Sequence, residues 1–544
     1  MCLLATGVAL VCLARLWFGV DYTDEAFYSA VPYRFVLGDR PFVDELHVTQ
    51  FAGLLTYPLV RVYTAVVSTS GLILALRLVY FVFVFGIAVA SLACLRRIVR
   101  WPWLLAGGLA YLSLVPFSLP TLSYNTLAAG FLSYGVILGI AHMLGSGRAW
   151  LMFAAGLCHA LAIAAYPTLL IVAPVFALAL WKAKPKSARR SLILYTAGLA
   201  VALVPYAVVL RAFGIHNILN VYSFNSQVHG FGGLSKIAAL YRSAIGWAAS
   251  VAVAVPLVAG VVIAGTRRPV LRRRFLALVP FAGLCLLLTR TPPVTWAVSY
   301  LILLGVWSWL TVLYDIDPAE AAKRCLILWG LIPATVAAAV TSYSSTNGFL
   351  AAWVGCAPMI MVGCVAASLS WPPHSALRRS WNASRLRSAP LICAIVLGLV
   401  FQWFAVYRDA PVWHLTSRVR EGPYLGMLTT QTRQMLLQNL STDIREFSTP
   451  SDTVLFYPLF SAGYLFSSMR PATPTVWQFD VPADPTTQAW YADKKRFPSL
   501  LFLFPDTTHT KKPMPPSLGD VKYKLIGVRS SYLVFRGRSG SPSP

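Results

Sequence analysis

Charged residues are scarce in this sequence, and acidic residues are the scarcer class. Of the 544 residues, 12% are charged and 57% are hydrophobic, and the mean hydropathy is +0.66. A soluble domain carries about 25% charged residues, so this composition excludes a soluble globular protein. Apolar runs near the roughly 20 residues that cross a bilayer recur through positions 1–407. The chain is therefore predicted to be a polytopic membrane protein.

Cysteine is present but forms no pattern of its own. All nine cysteines lie in or beside apolar runs, none lies after residue 407, and none shows metal-ligand spacing. A disulfide framework and a cysteine metal site are both disfavoured, and we interpret these residues as small buried hydrophobes.

The apolar runs predict about 13 transmembrane helices. The first run, residues 1–20, lacks a basic start and an A-x-A cleavage site, so it is expected to be retained as a span. The predicted spans lie near 1–20, 72–95, 102–118, 127–145, 150–165, 168–181, 192–210, 243–265, 275–289, 294–313, 325–341, 349–370 and 390–407.

Basic residues give the predicted orientation in the plasma membrane. The net charge is +26, and most Lys and Arg outside the tail lie in short connectors on one side, such as 182–190, 267–274 and 378–387. By the positive-inside rule that side is cytoplasmic. The N-terminus is then cytoplasmic, whereas the first outer loop (residues 21–71) and the tail face outward. The same distribution favours contact with anionic headgroups over nucleic acid.

The tail, residues 408–544, is predicted to be a small extracytoplasmic α/β domain behind a transmembrane domain of residues 1–407. The segment 425–448 has helical periodicity with polar breaks. "DTVLFYP", "SLLFLFPD" and "YKLIGVRSSYLVFRGR" are short β-rich runs bounded by Pro, Asp and Gly.

Six of the 19 acidic residues lie in the first outer loop, and none lies in a predicted span. This distribution disfavours ion-coupled transport, which needs an ionisable group near mid-membrane. His159 lies on an apolar face and is interpreted as a hydrogen-bonded core residue. The six acids form two groups and are Asp21, Asp24, Glu25, Asp39, Asp44 and Glu45.

The first acidic group, "DYTDE" (residues 21–25), follows the end of the first span at Val20. Asp24 is expected within about one helical turn of the outer interface. A carboxylate there can meet a lipid-linked substrate and accept a proton from a hydroxyl. The alternative is purely structural, with Asp21 or Thr23 as the N-cap of a helix and Asp24 and Glu25 in its first turn.

The first outer loop resembles that of the GT-C superfamily of integral-membrane glycosyltransferases. The resemblance lies in "DYTDEAFYSAVPYRFVLGDRPFVDELH" (residues 21–47), and "PTLSYNTLAAG" and "SYSSTNGFLAA" resemble outer-loop segments of bacterial members. It implies a GT-C-like fold, and an enzyme that transfers a hexose or pentose from a polyprenyl-phosphate donor, with inversion, in cell-wall biosynthesis. Carried over, the catalytic role falls on Asp24 or Glu25.

The chain departs from this pattern in one respect. Some GT-C members pair the first-loop acid with a carboxylate of a later outer loop, and no such carboxylate is predicted here. Asp44 or Glu45 is then the expected partner, and a divalent cation, Mg²⁺ or Mn²⁺, is left open as a cofactor.

Substrate-binding residues are expected among the cations and polar groups on the outer side. Arg77 and Arg290 are predicted to hold the donor phosphate, whereas Arg211 and Arg242 are interpreted as interfacial. His47, Asn125 and Asn347 are predicted to contact sugar hydroxyls. Further polar or aromatic candidates are Gln50, Tyr124, His229, Tyr343, Trp413, Trp477 and Trp490, of which the tryptophans are favoured as core residues.

Two other functions remain open at this point. The alternative to an enzyme is a transporter or flippase of a lipid-linked sugar, which would tolerate replacement of Asp24 and Glu25. An O-antigen-ligase-like enzyme would instead depend on His229. The residues do not distinguish the donor sugar, nor a glycan, lipid or protein acceptor.

Overall fold

The structure is a computed structural model, and the chain is mostly helical up to residue 404 and mixed α/β after it. The predicted span 275–289, and most of the span 243–265, lie outside the described residues. The structure describes residues 2–146, 148–183, 188–229, 234–251, 292–316, 320–370, 377–449, 451–477, 485–504 and 521–538.

The helices of the apolar part follow the hydrophobic runs closely. Two predicted spans, 72–95 and 150–165, coincide with helices to the residue. The helices are α1 (Cys2–Arg15), α2 (Asp24–Val36), α3 (Gln50–Val67), α4 (Leu72–Leu95), α5 (Trp101–Ser113), α6 (Tyr124–Ala141), α7 (Trp150–Ala165), α8 (Val172–Ala183), α9 (Ala188–Phe213), α10 (Ile215–His229), α11 (Leu234–Val251), α12 (Trp296–Asp315), α13 (Ala321–Cys325), α14 (Ile332–Ser344), α15 (Trp353–Leu369) and α16 (Leu377–Phe404).

Six helical segments of the described residues are long and apolar enough to cross a membrane. Four shorter apolar helices, Leu3–Arg15, Trp150–Ala165, Pro167–Lys182 and Ser388–Phe404, also match predicted spans. The chain is thus a mostly helical, multi-pass membrane protein, and the count of thirteen spans stays a prediction. The six are Leu72–Leu95, Tyr124–Gly145, Arg189–Phe213, Pro293–Tyr314, Ala321–Ser344 and Gly348–Leu369.

The C-terminal region contains the predicted α/β elements around a five-stranded sheet. The elements are β1 (Ser417–Arg418), β2 (Leu428–Thr429), α17 (Gln431–Phe447), β3 (Thr453–Tyr457), α18 (Ala462–Phe466), β4 (Arg470–Pro471), α19 (Pro485–Lys494), β5 (Leu500–Leu503), β6 (Lys522–Val528) and β7 (Leu533–Arg538). The strand order of the sheet is β4-β3-β5-β7-β6. Strand β3 pairs in parallel with β4 and β5, whereas β7 pairs antiparallel with β5 and β6.

Backbone hydrogen bonds join this region to the end of the first span. The Gly19 amide donates to the Leu428 carbonyl at 2.8 Å, and the Leu428 amide donates to the Trp17 carbonyl at 2.7 Å. One hydrophobic cluster also continues from the spans into the tail and includes Leu76 and Tyr424. The tail and the C-terminal end of the first span therefore form one packed unit.

The second acidic group of the first loop is buried against the tail in a cluster of ion pairs. Arg34 Nη1 lies 3.0 Å from Glu45 Oε2 and Arg34 Nε lies 2.5 Å from Asp39 Oδ2, with all three side chains fully buried. Tail residue Arg496 reaches Asp39 Oδ1 at 2.8 Å and Asp44 Oδ1 at 3.3 Å. These arginines neutralise the carboxylates, because an unpaired buried charge is costly.

We predict that Arg34→Met destabilises the protein far more than Arg40→Met. Removing Arg34 leaves Glu45 buried without its cation, whereas Asp39 keeps Arg496 and Arg470. An unpaired buried charge costs roughly 3–5 kcal/mol. Arg40 is 70% exposed and lies 3.9 Å from Asp44, so its loss should cost less than about 1 kcal/mol. Thermal unfolding of the two variants in detergent tests this, and equal melting temperatures would contradict the structural role of Arg34.

Candidate active site

The segment "DYTDE" is folded by Asp21, which caps helix α2. Asp21 Oδ2 accepts from the Glu25 amide at 2.8 Å, and Oδ1 accepts from the Thr23 amide at 3.1 Å and the Thr23 hydroxyl at 2.8 Å. Thr23 itself makes no side-chain cap bond. These bonds satisfy first-turn amides that the helix leaves unpaired. The structural interpretation of this segment is thus confirmed for Asp21.

Glu25 forms a bidentate ion pair with Arg77 of helix α4. Glu25 Oε1 lies 2.5 Å from Arg77 Nε, and Oε2 lies 2.6 Å from Nη2. The remaining Arg77 donors reach the carbonyls of Leu16, Phe18 and Gly19 at 2.7, 3.0 and 2.9 Å. All five guanidinium donors are therefore engaged, and the pair joins the end of α1 to α2 and α4.

Asp24 has different surroundings from its neighbour. Its Oδ2 accepts a hydrogen bond from the Tyr407 hydroxyl and lies 3.5 Å from Arg408 Nη2. Its Oδ1 makes no hydrogen bond within the described part of the chain. Arg408 has a φ of 50°, a conformation that is strained for a residue with a side chain and is often found at functional sites.

Burial is the main cause of a shifted pKa at Asp24. Desolvation and the nearby Asp21 raise the pKa of the Asp24 carboxyl to about 6, against the opposing effects of Arg408 and the Tyr407 hydrogen bond. A carboxyl with this pKa changes its charge near neutral pH and can exchange protons with a substrate.

Asp24 lines a cavity of about 720 Å³ at one end of the helical bundle. Helix ends border the cavity. They include the N-termini of α6, α12 and α15 and the C-termini of α7, α14 and α16. These are the ends predicted to face outward. Among the residues that line it are Asp24, Tyr28, His47, Tyr124, Asn125, Tyr166, Lys236, Tyr343, Asn347, Trp353, Tyr407, Arg408 and Trp477.

Three of the predicted sugar-binding residues lie in this lining, and each is held differently. His47 Nδ1 lies 2.9 Å from the Thr49 hydroxyl. The backbone amide of Asn347 donates to the Ser345 hydroxyl at 3.1 Å. Asn125, at the start of α6, is 6% exposed, and its Oδ1 has no hydrogen-bond partner among the described residues.

Four other predicted site residues have different positions. Glu25 and Arg77 pair with each other, and Asp44 and Glu45 belong to the Arg34 cluster, so none of the four lines the cavity. Each of the four is paired with an opposite charge within the protein. The catalytic role of Glu25 and the substrate contacts of Asp44, Glu45 and Arg77 stay predictions. Arg290 lies outside the described residues.

The remaining candidates also separate by position. Tyr124, Tyr343 and Trp477 line the cavity, whereas Gln50 is buried and accepts from the Phe42 amide at 2.6 Å. The side chain of His229 lies outside the described part. Trp490 is 5% exposed, in agreement with a core role. Trp413 is 49% exposed, so the core prediction is wrong for this residue, whose ring packs against Phe404 at 4.6 Å between centroids. His159 bonds to the Tyr195 hydroxyl at 3.0 Å, as predicted for a core histidine.

The sequence analysis missed Tyr407 and Arg408. These two residues follow the last span directly, so the available signal was a cation at a span end that is predicted to face outward. Their contact with Asp24 spans more than 380 residues of sequence, and no local pattern encodes it.

The donor set at the cavity does not fit a protein-held metal ion. Among the described residues that line it, Asp24 is the sole carboxylate. The described ranges contain no group of three or more His, Cys, Asp or Glu side chains placed to hold a metal. Asp44 and Glu45, expected as partners of the first-loop acid, are bound by arginines instead.

No known protein family and no curated protein sequence matches this chain. Solved structures do match, and over nearly its full length. ArnT from Cupriavidus metallidurans, bound to undecaprenyl phosphate, matches with 16% identity and a TM-score of 0.44, covering 100% of this chain and 99% of that chain.

The oligosaccharyltransferase AglB from Archaeoglobus fulgidus, in complex with an inhibitory peptide and a dolichol-phosphate, is a second match. Its identity is 13% and its TM-score 0.45, with 92% of this chain and 69% of that chain covered. At these values the likeness is one of overall fold alone.

We predict that Glu25→Gln and Asp24→Asn have opposite consequences for stability. Glu25→Gln leaves the buried Arg77 without its counter-ion and should lower the free energy of unfolding by roughly 3–5 kcal/mol. Asp24→Asn removes a charge that burial disfavours, so stability should be kept or slightly increased. Thermal unfolding above pH 7 separates the two, and an unstable Asp24→Asn with a stable Glu25→Gln would reverse this assignment.

Proposed function

We propose that this protein is a GT-C-type glycosyltransferase. It transfers a sugar from a polyprenyl-phosphate donor to an acceptor hydroxyl at the outer face of the plasma membrane, with inversion. The observation that carries this proposal is the position of the Asp24 carboxylate. It lines a cavity between helix ends, burial raises its pKa to about 6, and its Oδ1 has no hydrogen-bond partner among the described residues.

Asp24 acts as the general base. Its Oδ1 receives the proton of the acceptor hydroxyl while the acceptor oxygen attacks the anomeric carbon, and the bond from that carbon to the lipid phosphate breaks on the opposite face. Tyr407 fixes the carboxylate by donating to Oδ2. Of the two neighbouring acids, Asp24 is proposed over Glu25, because Glu25 is already neutralised by Arg77.

Arg408 and Lys236 are the described cations that line the cavity, and we assign them to the donor phosphate. Phosphate leaves as an anion, so the reaction needs positive charge rather than the second, protonated carboxyl group of a glycosidase. Arg408 can interact with both negative charges of the reaction, the Asp24 carboxylate and the leaving phosphate. Its guanidinium lies next to Asp24, and its side chain is 42% exposed. Arg290 stays a further candidate from the sequence.

The proposed arrangement places the donor in the outer leaflet. It uses the predicted thirteen spans, a cytoplasmic N-terminus, a catalytic first loop (residues 21–71) and an extracytoplasmic domain of residues 408–544. Trp477, which lines the cavity, lets this domain contribute to the wall on the acceptor side. The proposal gives the sugar and the acceptor by class: a hexose or pentose is transferred to a glycan, lipid or protein. It also includes a role in cell-wall biosynthesis.

We predict that Asp24→Asn lowers the transfer rate by about 10²–10⁴-fold, the usual contribution of a general base. The assay uses purified protein in nanodiscs with polyprenyl-phosphate sugars extracted from bacterial membranes, and it follows release of the lipid phosphate. Asp493→Asn is the matched control, because Asp493 is 70% exposed on the tail. Full activity of Asp24→Asn would contradict the mechanism and favour the flippase alternative.

The pH dependence of transfer gives an independent prediction. Because the base must be deprotonated, kcat/KM should fall about tenfold per pH unit below pH 6 and level off above it. Tyr407→Phe removes a hydrogen bond that lowers the pKa of Asp24, so its profile should move to higher pH. A profile that is flat from pH 5 to 7, or one that Tyr407→Phe leaves unchanged, would argue against Asp24 as the base.

A further inference from the structure

Two buried polar atoms in the cavity wall lack partners, and they are complementary. Asn125 Oδ1 is a hydrogen-bond acceptor and Trp353 Nε1 is a donor, and neither has a partner among the described residues. Asn125 is 6% exposed and Trp353 is 2% exposed. A buried polar group without a partner is costly, so such a pair in a cavity wall indicates a ligand that supplies the missing bonds.

The two residues lie at corresponding places in the fold. Asn125 is in the first turn of α6 and Trp353 begins α15, and these two helices pack against each other. Both N-terminal ends open on the same cavity. A subsite formed by both groups requires one ligand in the cavity to reach both of them.

Aromatic rings surround this part of the cavity. The ring of Tyr124 lies 5.1 Å from that of Tyr166 and 6.0 Å from that of Tyr28, centroid to centroid. Aromatic walls with a few fixed polar groups are typical of small-ligand sites. A sugar ring matches this lining, since its C–H faces contact the aromatic rings and its hydroxyls both donate and accept.

The charges of the cavity restrict the kind of sugar. Among the described residues that line it, Asp24 is the one carboxylate and is assigned to the acceptor proton, whereas Lys236 and Arg408 are cationic. An amino sugar would bring a further positive charge with no counter-ion of its own. The site therefore favours a sugar without a basic group.

We propose that Asn125 and Trp353 form the subsite for the donor sugar, and that they bind two hydroxyls of an uncharged monosaccharide. One hydroxyl donates to Asn125 Oδ1 and the other accepts from Trp353 Nε1. This inference rests on the proposed function, because it assumes that the cavity holds a lipid-phosphate sugar, and it adds the residues and the chemical class for that sugar.

The test compares binding of lipid phosphates with and without a sugar. The probes are farnesyl phosphate, its mannosyl, glucosyl and arabinofuranosyl derivatives, and its 4-amino-4-deoxyarabinosyl derivative, and affinities for the full chain in nanodiscs are measured calorimetrically. At least one uncharged derivative should bind more tightly than farnesyl phosphate and more tightly than the amino sugar.

Two variants then test whether the gain in affinity that the sugar adds to farnesyl phosphate depends on Asn125 and Trp353. Asn125→Leu and Trp353→Phe should each reduce the gain about 5–10-fold, the value of one hydrogen bond, and leave the affinity for farnesyl phosphate unchanged. Trp353→Phe keeps the ring, so it is expected to fold normally. Trp403→Phe is the matched control, because Trp403 Nε1 is also buried without a partner among the described residues but Trp403 does not line the cavity.

Three outcomes would overturn this inference. The gain persists in both variants, or no uncharged sugar adds affinity, or the amino sugar binds most tightly. In each of these the proposed function still stands if farnesyl phosphate binds and Asp24→Asn blocks transfer. Failure of farnesyl phosphate to bind would instead remove the proposed function, and this subsite with it.

Discussion

The ion pair between Glu25 and Arg77 determines the geometry of the proposed active site. It lies where the first span ends, and the guanidinium also binds three carbonyls of residues 16–19. These bonds fix the peptide that leads into helix α2. Since consecutive residues of a helix point about 100° apart, turning Glu25 inward sets the direction of Asp24. The ion-paired Glu25 thus orients Asp24, the proposed base.

Contacts from the tail also hold the first loop in place. The Tyr424 hydroxyl donates to the Asp21 carbonyl at 2.5 Å, and the Ala462 amide donates to the Tyr22 carbonyl at 2.9 Å. The Arg34 cluster holds the second half of the loop against the same domain. The two acidic groups of the first loop are therefore anchored separately, and Asp24 of the first group lines the cavity. This rigidity is what a base at a reaction centre requires, because small displacements of a catalytic group cost rate.

The sequence was sufficient for most apolar helices of the described residues and for strands β3, β5, β6 and β7 of the tail. Apolar runs and β-rich runs carry these in local composition. Asn125 lines the cavity, and its predicted contact with a sugar stays a prediction. The sequence could not separate Asp24 from Glu25, since the choice depends on Arg77, 52 residues away. Nor could it predict that Asp44 and Glu45 are neutralised by Arg34 and Arg496, because that cluster exists only once the tail has docked.

The most direct test of the account replaces the acceptor that needs a base by one that does not. Azide attacks an anomeric carbon without losing a proton, so it should restore consumption of the sugar donor by Asp24→Ala. The account predicts that azide accelerates release of the lipid phosphate in Asp24→Ala, and that the glycosyl azide formed has the anomeric configuration opposite to that of the donor. Release that azide does not accelerate, or a product with retained configuration, would contradict Asp24 as the base of an inverting transfer.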